Sequence, residues 1–455
     1  MLLLTGSELT KAEQAAEKDL SVLQMMENAG RALAGHLIQY HSDKTHLFLC
    51  GKGKNGGDGL AAAAFLHQKG VPTCCLAPLD GLCPEVKHFK AQYEAVGGTM
   101  LPLTPEELSK QLKKRPALLV DCLLGTGLTR PVSGNLADCI TQVNQSGLPV
   151  VATDIASGLS VDSGAVLGVA VRAQETISFT AAKPGQVFYP GCEYTGRLFV
   201  YDVGIPAKGL LQAADDALVR MALPPREKES HKGHYGKAAL FCGAVGYTGA
   251  AFLSAQATVR TGAGLVSVGV PAAIYPIVAG KLVEAMVYPL PDKDGYFDSS
   301  AMEAAAQKAK EADVVLCGCG IGRSEGAFAL AKAVLKGAAG PVILDADGIN
   351  AFASHIDLLQ EEAKQKPVIL TPHDGELSRL IGQTVPADYA RRLALAKEIA
   401  ADLGVILVMK GHKTITAAPD GRTVINTSGN PGMARGGSGD VLAGMIAGLA
   451  ARKGS

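Results

Sequence analysis

Tryptophan is absent from this 455-residue chain, and aromatic residues make up only 5% of it. That leaves little for the stacking platforms of a single-stranded nucleic-acid binder. A surplus of either charge is also missing. Forty-three basic residues balance 43 acidic ones, so no net field draws the chain to a phosphodiester backbone or an anionic bilayer. No stretch reaches the ~20 apolar residues of a membrane-crossing helix. Ten cysteines are present, but Cys74-Cys75 and Cys317-Gly318-Cys319 lack the two-residue spacer and the second ligand pair of a zinc or redox motif. Cys50, Cys122, Cys242 and Cys317 fall in apolar runs, where a thiol packs as a small hydrophobe. Met1-Leu2-Leu3-Leu4 meets Thr5-Gly6-Ser7-Glu8 without the basic and long apolar regions of a secretory signal. The expectation is a cytoplasmic protein with reduced thiols, binding neither nucleic acid nor membrane.

Glycine is what the chain has in excess: 54 residues against a usual share of ~7%. Without a collagen period, that surplus points to many tight strand-to-helix turns. The length suits two domains at ~100–200 residues each. Leu23, Met26, Gly30, Leu33 and Leu37 recur at helical spacing. Apolar runs at Leu47–Cys50, Pro72–Leu76, Ala117–Leu124 and Leu148–Asp154 read as buried strands separated by helix-length spacers, with Gly51–Gly59 a loop and a helix from Leu60 to His67. The pattern decays from Gly204 to Tyr235, where Pro206, Pro224, Pro225 and the polar run Arg226–Lys232 suit a linker. A second series follows, with strands expected at Ala238–Cys242, Leu265–Val270, Asp313–Cys317, Pro341–Asp345, Pro367–Thr371 and Val405–Lys410, and a helix carrying Leu393, Ala396, Ala400 and Leu403. Such alternation predicts an α/β protein of two three-layer α/β/α sandwiches, with domains 1–221 and 222–455.

Ligands of open parallel sheets bind beyond the strands' carboxyl ends. In the first half that places Lys52–Gly59, Gly125–Pro131 and Asp154–Leu159 around one mouth. Asn55, Asp58, Asp121, Asp154 and Ser157 are hard oxygen donors suited to a hard cation, a monovalent one included, while Arg130 and glycine amides suit phosphates. In the second half the mouth gathers Cys317–Arg323, Asp345–Gly348, Thr371–Glu376 with His373, Lys410–Thr414, Asn430, and Gly436-Gly437-Ser438-Gly439-Asp440 ahead of an apolar run. The last reads as a glycine turn opening a helix, whose amides converge on an anion beside a carboxylate able to take a proton. A Walker-type loop is absent.

The order and spacing of Met26-Glu27-Asn28-Ala29-Gly30, Asn55-Gly56-Gly57-Asp58-Gly59, Asp121–Gly127, His231-Lys232-Gly233, Tyr247–Ala251, Arg260–Gly264, Thr371-Pro372-His373, Lys410-Gly411 and Gly436–Asp440 closely resemble the bifunctional NAD(P)H-hydrate repair enzymes. That resemblance implies a Rossmann-like N-terminal epimerase domain and a C-terminal, ribokinase-like, ADP-dependent dehydratase domain. Their substrates would be NADHX and NADPHX, the hydrated nicotinamide cofactors. The resemblance further implies Asp440 and Asp154 as catalytic acid–base groups, and Lys410, Gly411, His412, Lys413, Thr414 and Gly439 as the adenine-nucleotide site. The hydrate would be bound by Asn55, Gly56, Gly57, Asp58, Gly59, Gly125, Thr126, Gly127, Leu128, Thr129, Arg130, Pro131 and Asp154 in one domain, and by Ala263, Gly320, His373 and Asp440 in the other. Potassium would sit on Asn55, Asp121 and Ser157, magnesium would accompany the ADP phosphates, and the expected assembly is a homo-oligomer. Two departures stand out. Ala156 replaces the family's usual proline in its Asp-Ile-Pro-Ser-Gly-Leu turn, which implies a looser loop, and the chain stops fifteen residues after Asp440, where relatives continue through further helices. The rival readings are a ribokinase-like vitamin or sugar kinase with a nucleotide-binding N-terminal module, and a non-catalytic binding module.

Overall fold

The computed structural model describes residues 1–42, 45–223 and 225–452; Pro224 of the expected linker lies outside them. The chain forms two compact units, Met1–Ala213 with Asp388–Ala390, and Ala214–Ala387 with the residues from Arg391 onward.

In the first unit seven parallel strands line up in the order Thr99–Pro102, Thr73–Ala77, His46–Cys50, Leu118–Cys122, Val150–Thr153, Glu175–Phe179 and Arg197–Tyr201. Alternation along one strand divides its core in two. Phe48 and Cys50 pack with Met26, Leu33 and Leu37 of helix Val22–His41, whereas Leu47 and Leu49 pack with Leu108, Ile140 and Val143 from helices of the other layer. Leu23 departs from the expected helical stripe and is exposed. The chain winds outward in one direction from His46–Cys50 and in the other from Leu118–Cys122, so the order reverses between these neighbours. A crevice opens there.

Thr99–Pro102, Glu175–Phe179 and Arg197–Tyr201 were not expected as strands, because polar residues interrupt their apolar runs. Glu175 shows why such a strand survives. Its carboxylate accepts from His36 Nε2 at 2.9 Å and His41 Nε2 at 3.2 Å and also pairs with Arg197, while His36 Nδ1 meets the Tyr201 hydroxyl at 2.9 Å. Burial pushes Glu175 up, but those three partners more than offset it and hold the group at about 2. Burial also lowers His36, despite Glu175. Both folded values lie below the unfolded ones, so both groups favour folding above their unfolded values and lose that contribution as pH falls. The melting temperature therefore drops on acidification, first through the histidine range and then between about pH 4.3 and 2. Glu175→Gln, which weakens the hydrogen bonds of the buried His36, costs about 1–3 kcal/mol at neutral pH and blunts the lower limb; urea titrations at several pH values measure both.

In the second unit seven parallel strands run in the order Met286–Leu290, Leu265–Pro271, Lys237–Phe241, Val314–Cys317, Val342–Leu344, Val368–Leu370 and Ile406–Met409, continued by antiparallel Ile415–Ala417 and Thr423–Ile425. The six expected strands are all present within a residue or two. Met286–Leu290, Ile415–Ala417 and Thr423–Ile425 were missed, being short, partly exposed and near an edge. Ala238, Leu240 and Cys242 face the core shared with helices Thr248–Thr261 and Ser438–Ala450. These helices approach closely because Gly444 has no Cβ, which would come within 2.3 Å of the Ser254 carbonyl. Within the expected linker, Asp215 caps a helix, Asp216–Ala222, by accepting from Leu218 N at 2.9 Å. Residues 225–231 are exposed and irregular. Among the described residues no helix is long and apolar enough to cross a membrane.

Candidate functional site

The crevice of the first unit holds a cavity of about 990 Å³. Asn55, Asp58, Gly125, Thr126, Gly127, Leu128, Thr129, Arg130 and Asp154 line it, as does Glu13 from helix Gly6–Ala16. Gly56, Gly57, Gly59 and Pro131 do not. The glycine-rich segment is also no loop: its helix begins at Lys54 behind Gly53, so residues 55–59 form its first turns. None of these three glycines has a positive φ. They serve close packing instead, since a Cβ would meet Gly51 O at 2.1 Å from Gly56, Met26 Cε at 2.2 Å from Gly57 and Cys122 Sγ at 2.5 Å from Gly59. A sequence shows that glycine is needed but not which of the two reasons applies. Gly56→Ala is the most severe of the three, because its neighbour is backbone; it costs about 1–3 kcal/mol, which chemical denaturation measures.

Asp121 and Ser157 lie fully buried beneath the cavity. The Ser157 hydroxyl donates to Asp121 Oδ1 at 2.6 Å, the Ser157 amide to Oδ2 at 2.8 Å, and Asn55 Nδ2 to Leu124 O at 3.0 Å, a carbonyl 3.2 Å from Ser157 Oγ. The three expected cation ligands, from a helix, a strand and a strand-end segment, thus all bond to the backbone of Leu123 and Leu124. Burial pushes Asp121 up to about 6 against the Ser157 and Leu123 hydrogen bonds. Among the described residues Asn55 Oδ1 is buried without a hydrogen-bond partner, an oxygen that a potassium ion fits. Ala156 packs with Ile155 and Leu159.

Asp154 adopts φ +66°, a left-handed conformation that costs a residue with a Cβ. The surroundings compensate. Its amide donates to Ile177 O at 2.7 Å, its carbonyl accepts from Gln186 Nε2 at 2.8 Å, and its carboxylate accepts from Phe179 N at 3.2 Å and pairs with Lys183, whose side chain is only 1% exposed. Lys183 went unnoticed in the sequence, although a lone lysine within Ala181-Ala182-Lys183-Pro184-Gly185 is itself a signal. Glu13 gave none, being one acid on a polar helix.

The second mouth forms at the carboxyl edge of its sheet. Gly437 caps helix Ser438–Ala450 with φ +88°, and Val441 N makes the first intrahelical bond, to Gly437 O at 3.0 Å. The amides of Ser438, Gly439 and Asp440 therefore lack an acceptor within the helix. Gly436 and Gly439 have no positive φ, so of the three glycines only Gly437 needs its conformational freedom. Lys410 Nζ lies 2.9 Å from Asp345 Oδ1, and a Cβ on Gly439 would stand 3.4 Å from the same ammonium. Burial first, and then the Asp345 charge, raise Asp440, opposed by Cys319 and Lys410. Cys319 Sγ, Asp345 and Asp440 place their ligand atoms within 4.8 Å of one another. Gly320, φ +65°, joins this mouth between Tyr247 and Ala250, whose Cβ atoms leave no room for a side chain.

Other expected residues divide. His373 caps helix Asp374–Ile381, its Nδ1 accepting from Gly375 N at 3.0 Å, so at least one nitrogen has structural work. Gly411 and Thr414 close a turn, Thr414 Oγ1 donating to Gly411 O at 3.0 Å; Lys413 has φ +60° and reaches Thr427 O at 3.4 Å, and His412 is exposed beside it. Ala263 is not brought together with these. It precedes strand Leu265–Pro271 and bonds back to Thr258 O at 3.3 Å, at the amino edge of a sheet whose mouth is at the carboxyl edge. At the mouth itself Ala250 packs against Gly320, and Thr371 Oγ1 donates to Asp345 Oδ1 at 2.6 Å.

A family model described as NAD(P)H-hydrate dehydratase matches residues 238–454, and one described as YjeF-related protein N-terminus matches residues 22–185. The bifunctional NAD(P)H-hydrate repair enzyme of Moorella thermoacetica is 36% identical, over 99% of this chain and 88% of its own. The chain belongs to the bifunctional NAD(P)H-hydrate repair enzymes. The repair enzyme of Thermofilum pendens is likewise 36% identical, covering 97% of this chain and 86% of its own. An ADP/ATP-dependent NAD(P)H-hydrate dehydratase from Bacillus subtilis, co-crystallised with ATP and Mg2+, is 34% identical over 53% of this chain and 82% of that one, with a TM-score of 0.43.

Proposed function

We propose that residues 1–221 interconvert the R and S epimers of NADHX and NADPHX, and that residues 222–455 dehydrate the S epimer with ADP, releasing AMP and phosphate. The observation that carries this reading is Asp440 in the first turn behind left-handed Gly437, with Lys410 beside Gly439. Hydroxide leaves poorly, so the hydrate's hydroxyl is first phosphorylated. Asp440 takes its proton as the oxygen attacks the terminal phosphorus of ADP, and the amides of Ser438–Asp440 hold the charge developing on the transferred group. Elimination of phosphate then restores the reduced ring. Lys410, Gly411, His412, Lys413 and Thr414 bind the nucleotide, with Gly439 against its phosphates; Gly320 and His373 bound the hydrate. Asp345 and Asp440 would be the hard-oxygen donors for a magnesium ion accompanying the ADP phosphates, for which the thiol of Cys319 is the wrong donor.

In the epimerase unit Asp154 is the acid–base group, with Asn55, Asp58 and Gly125–Arg130 around the ring. Asn55, Asp121 and Ser157 would hold potassium, with Asn55 Oδ1, unpartnered among the described residues, as one donor; the ion would supply positive charge at that site. Ten free cysteines agree with a cytoplasmic setting, and the exposed apolar Ile277, Val283 and Met286, the last on an edge strand, agree with a homo-oligomer. The test gives mixed NADHX epimers, ADP, magnesium and potassium to purified protein and follows recovery of reduced-nicotinamide absorbance. Recovery with stoichiometric AMP and phosphate supports the reading; a stable phosphorylated product instead supports a small-molecule kinase.

A further inference from the structure

Epimer exchange asks more of the first unit than one carboxylate can supply. The hydrated ring carbon bears both the hydroxyl and the ring nitrogen, so the nitrogen lone pair can expel the hydroxyl and inversion can proceed by breaking the C–O bond. Its electron pair goes to oxygen, which takes a proton and leaves as water, while the nitrogen lone pair closes a C=N bond. Water then adds to the opposite face, the C=N pair returns to nitrogen, and a base takes the proton from the incoming water. One proton is given and one is taken, on opposite faces of a flat ring. Two acid–base groups from different walls of the cavity meet that demand.

Besides Asp154, two carboxyl groups line this cavity, Glu13 and Asp58. Their environments separate the roles. Asp154 is ion-paired with Lys183 and accepts from the Phe179 amide. Asp58 is buried in the helix of residues 54–68, its Oδ1 without a partner among the described residues, and burial followed by the charges of Asp154 and Glu13 pushes it well above the usual carboxylate range. Glu13 projects from helix Gly6–Ala16 with its side chain one-third exposed, its nearest cation Lys54 Nζ only at 4.0 Å. Burial raises it, Lys54 opposes, and Asp154 raises it further. A raised carboxyl and an ion-paired one sharing a cavity is the arrangement by which enzymes assign an acid and a base.

We propose that Glu13 is the second acid–base group of the epimerase unit, exchanging protons with the hydrate in the cavity it lines together with Asp154. This rests on the epimerase reading above. In one direction Glu13 protonates the departing hydroxyl and Asp154 deprotonates the incoming water; the reverse direction exchanges the roles.

The test uses the full chain with potassium and mixed NADHX epimers, ADP being withheld so that dehydration is silent, and follows exchange by NMR. Glu13→Gln lowers kcat by about 10²-fold or more, leaves KM within about threefold, and removes one limb of the pH–rate profile. The charged groups acting on that position are Lys54 and Asp58 from one helix, Asp154 and Lys183 from the strand-end loops, and Glu17 at the C-cap of its own helix. Glu13→Asp recovers part of kcat, which a purely structural role would not require, and melting curves confirm that both variants fold. A Glu13→Gln protein within about threefold of the parent kcat, or one altered in KM alone, overturns the proposal. Failure of the parent protein itself to exchange epimers would instead overturn the epimerase reading.

Discussion

Asp440→Asn lowers ADP-dependent dehydration by about 10²–10⁴-fold while leaving epimer exchange at the parent rate. The amide keeps the shape of the side chain and removes the negative charge and the basicity that accept the hydroxyl proton. Stability provides the control. Asp440 is raised by burial and by Asp345, so its charged form is disfavoured in the folded state and favours unfolding at neutral pH. The contribution of such a group to folding is present below its unfolded value and lost as pH rises through the folded one. Asp440→Asn therefore melts at or above the parent temperature even as dehydration collapses. In the parent protein the dehydration rate falls as pH drops through the raised value of this base, a limb that the variant lacks. Calorimetry together with nicotinamide absorbance decides the matter; a variant that keeps full dehydration removes Asp440 from the mechanism.

Asp154→Asn has the converse outcome, with epimer exchange lowered by about 10²–10⁴-fold and dehydration of purified S epimer retained. Here a stability cost accompanies the catalytic one, because Lys183 is almost wholly buried and loses its counter-charge. Breaking a buried pair from one side costs on the order of 3–5 kcal/mol, and the left-handed backbone at residue 154 loses a contact that helps hold it. Exchange is therefore measured well below the variant's melting temperature, against Lys183→Met as a reference for the lost pair alone. If Asp154→Asn, folded by circular dichroism, exchanged epimers at the parent rate, the acid–base assignment would be wrong.

Legibility of the fold followed burial. Strands buried on both faces, such as His46–Cys50 and Val314–Cys317, read as continuous apolar runs, and every strand of that kind that was expected is present. Glu175–Phe179 escaped because its buried glutamate is satisfied by His36 and His41, from a helix over a hundred residues earlier, together with Arg197. The second mouth was legible for a similar reason: strand ends, a glycine turn and an acid are local. Ala263 was read into it from a motif alone, and only chain direction through the following strand places it at the opposite edge.

What the sequence determined by itself was the α/β class, the family and the paired mouths, because alternating apolar periodicity, glycine turns and motif order are properties of neighbouring residues. Tertiary structure decided which glycines are needed for close packing rather than backbone freedom, which lysine holds Asp154, and that Glu13 shares its cavity. Those depend on distances between segments remote along the chain, and spacing in sequence carries no measure of them.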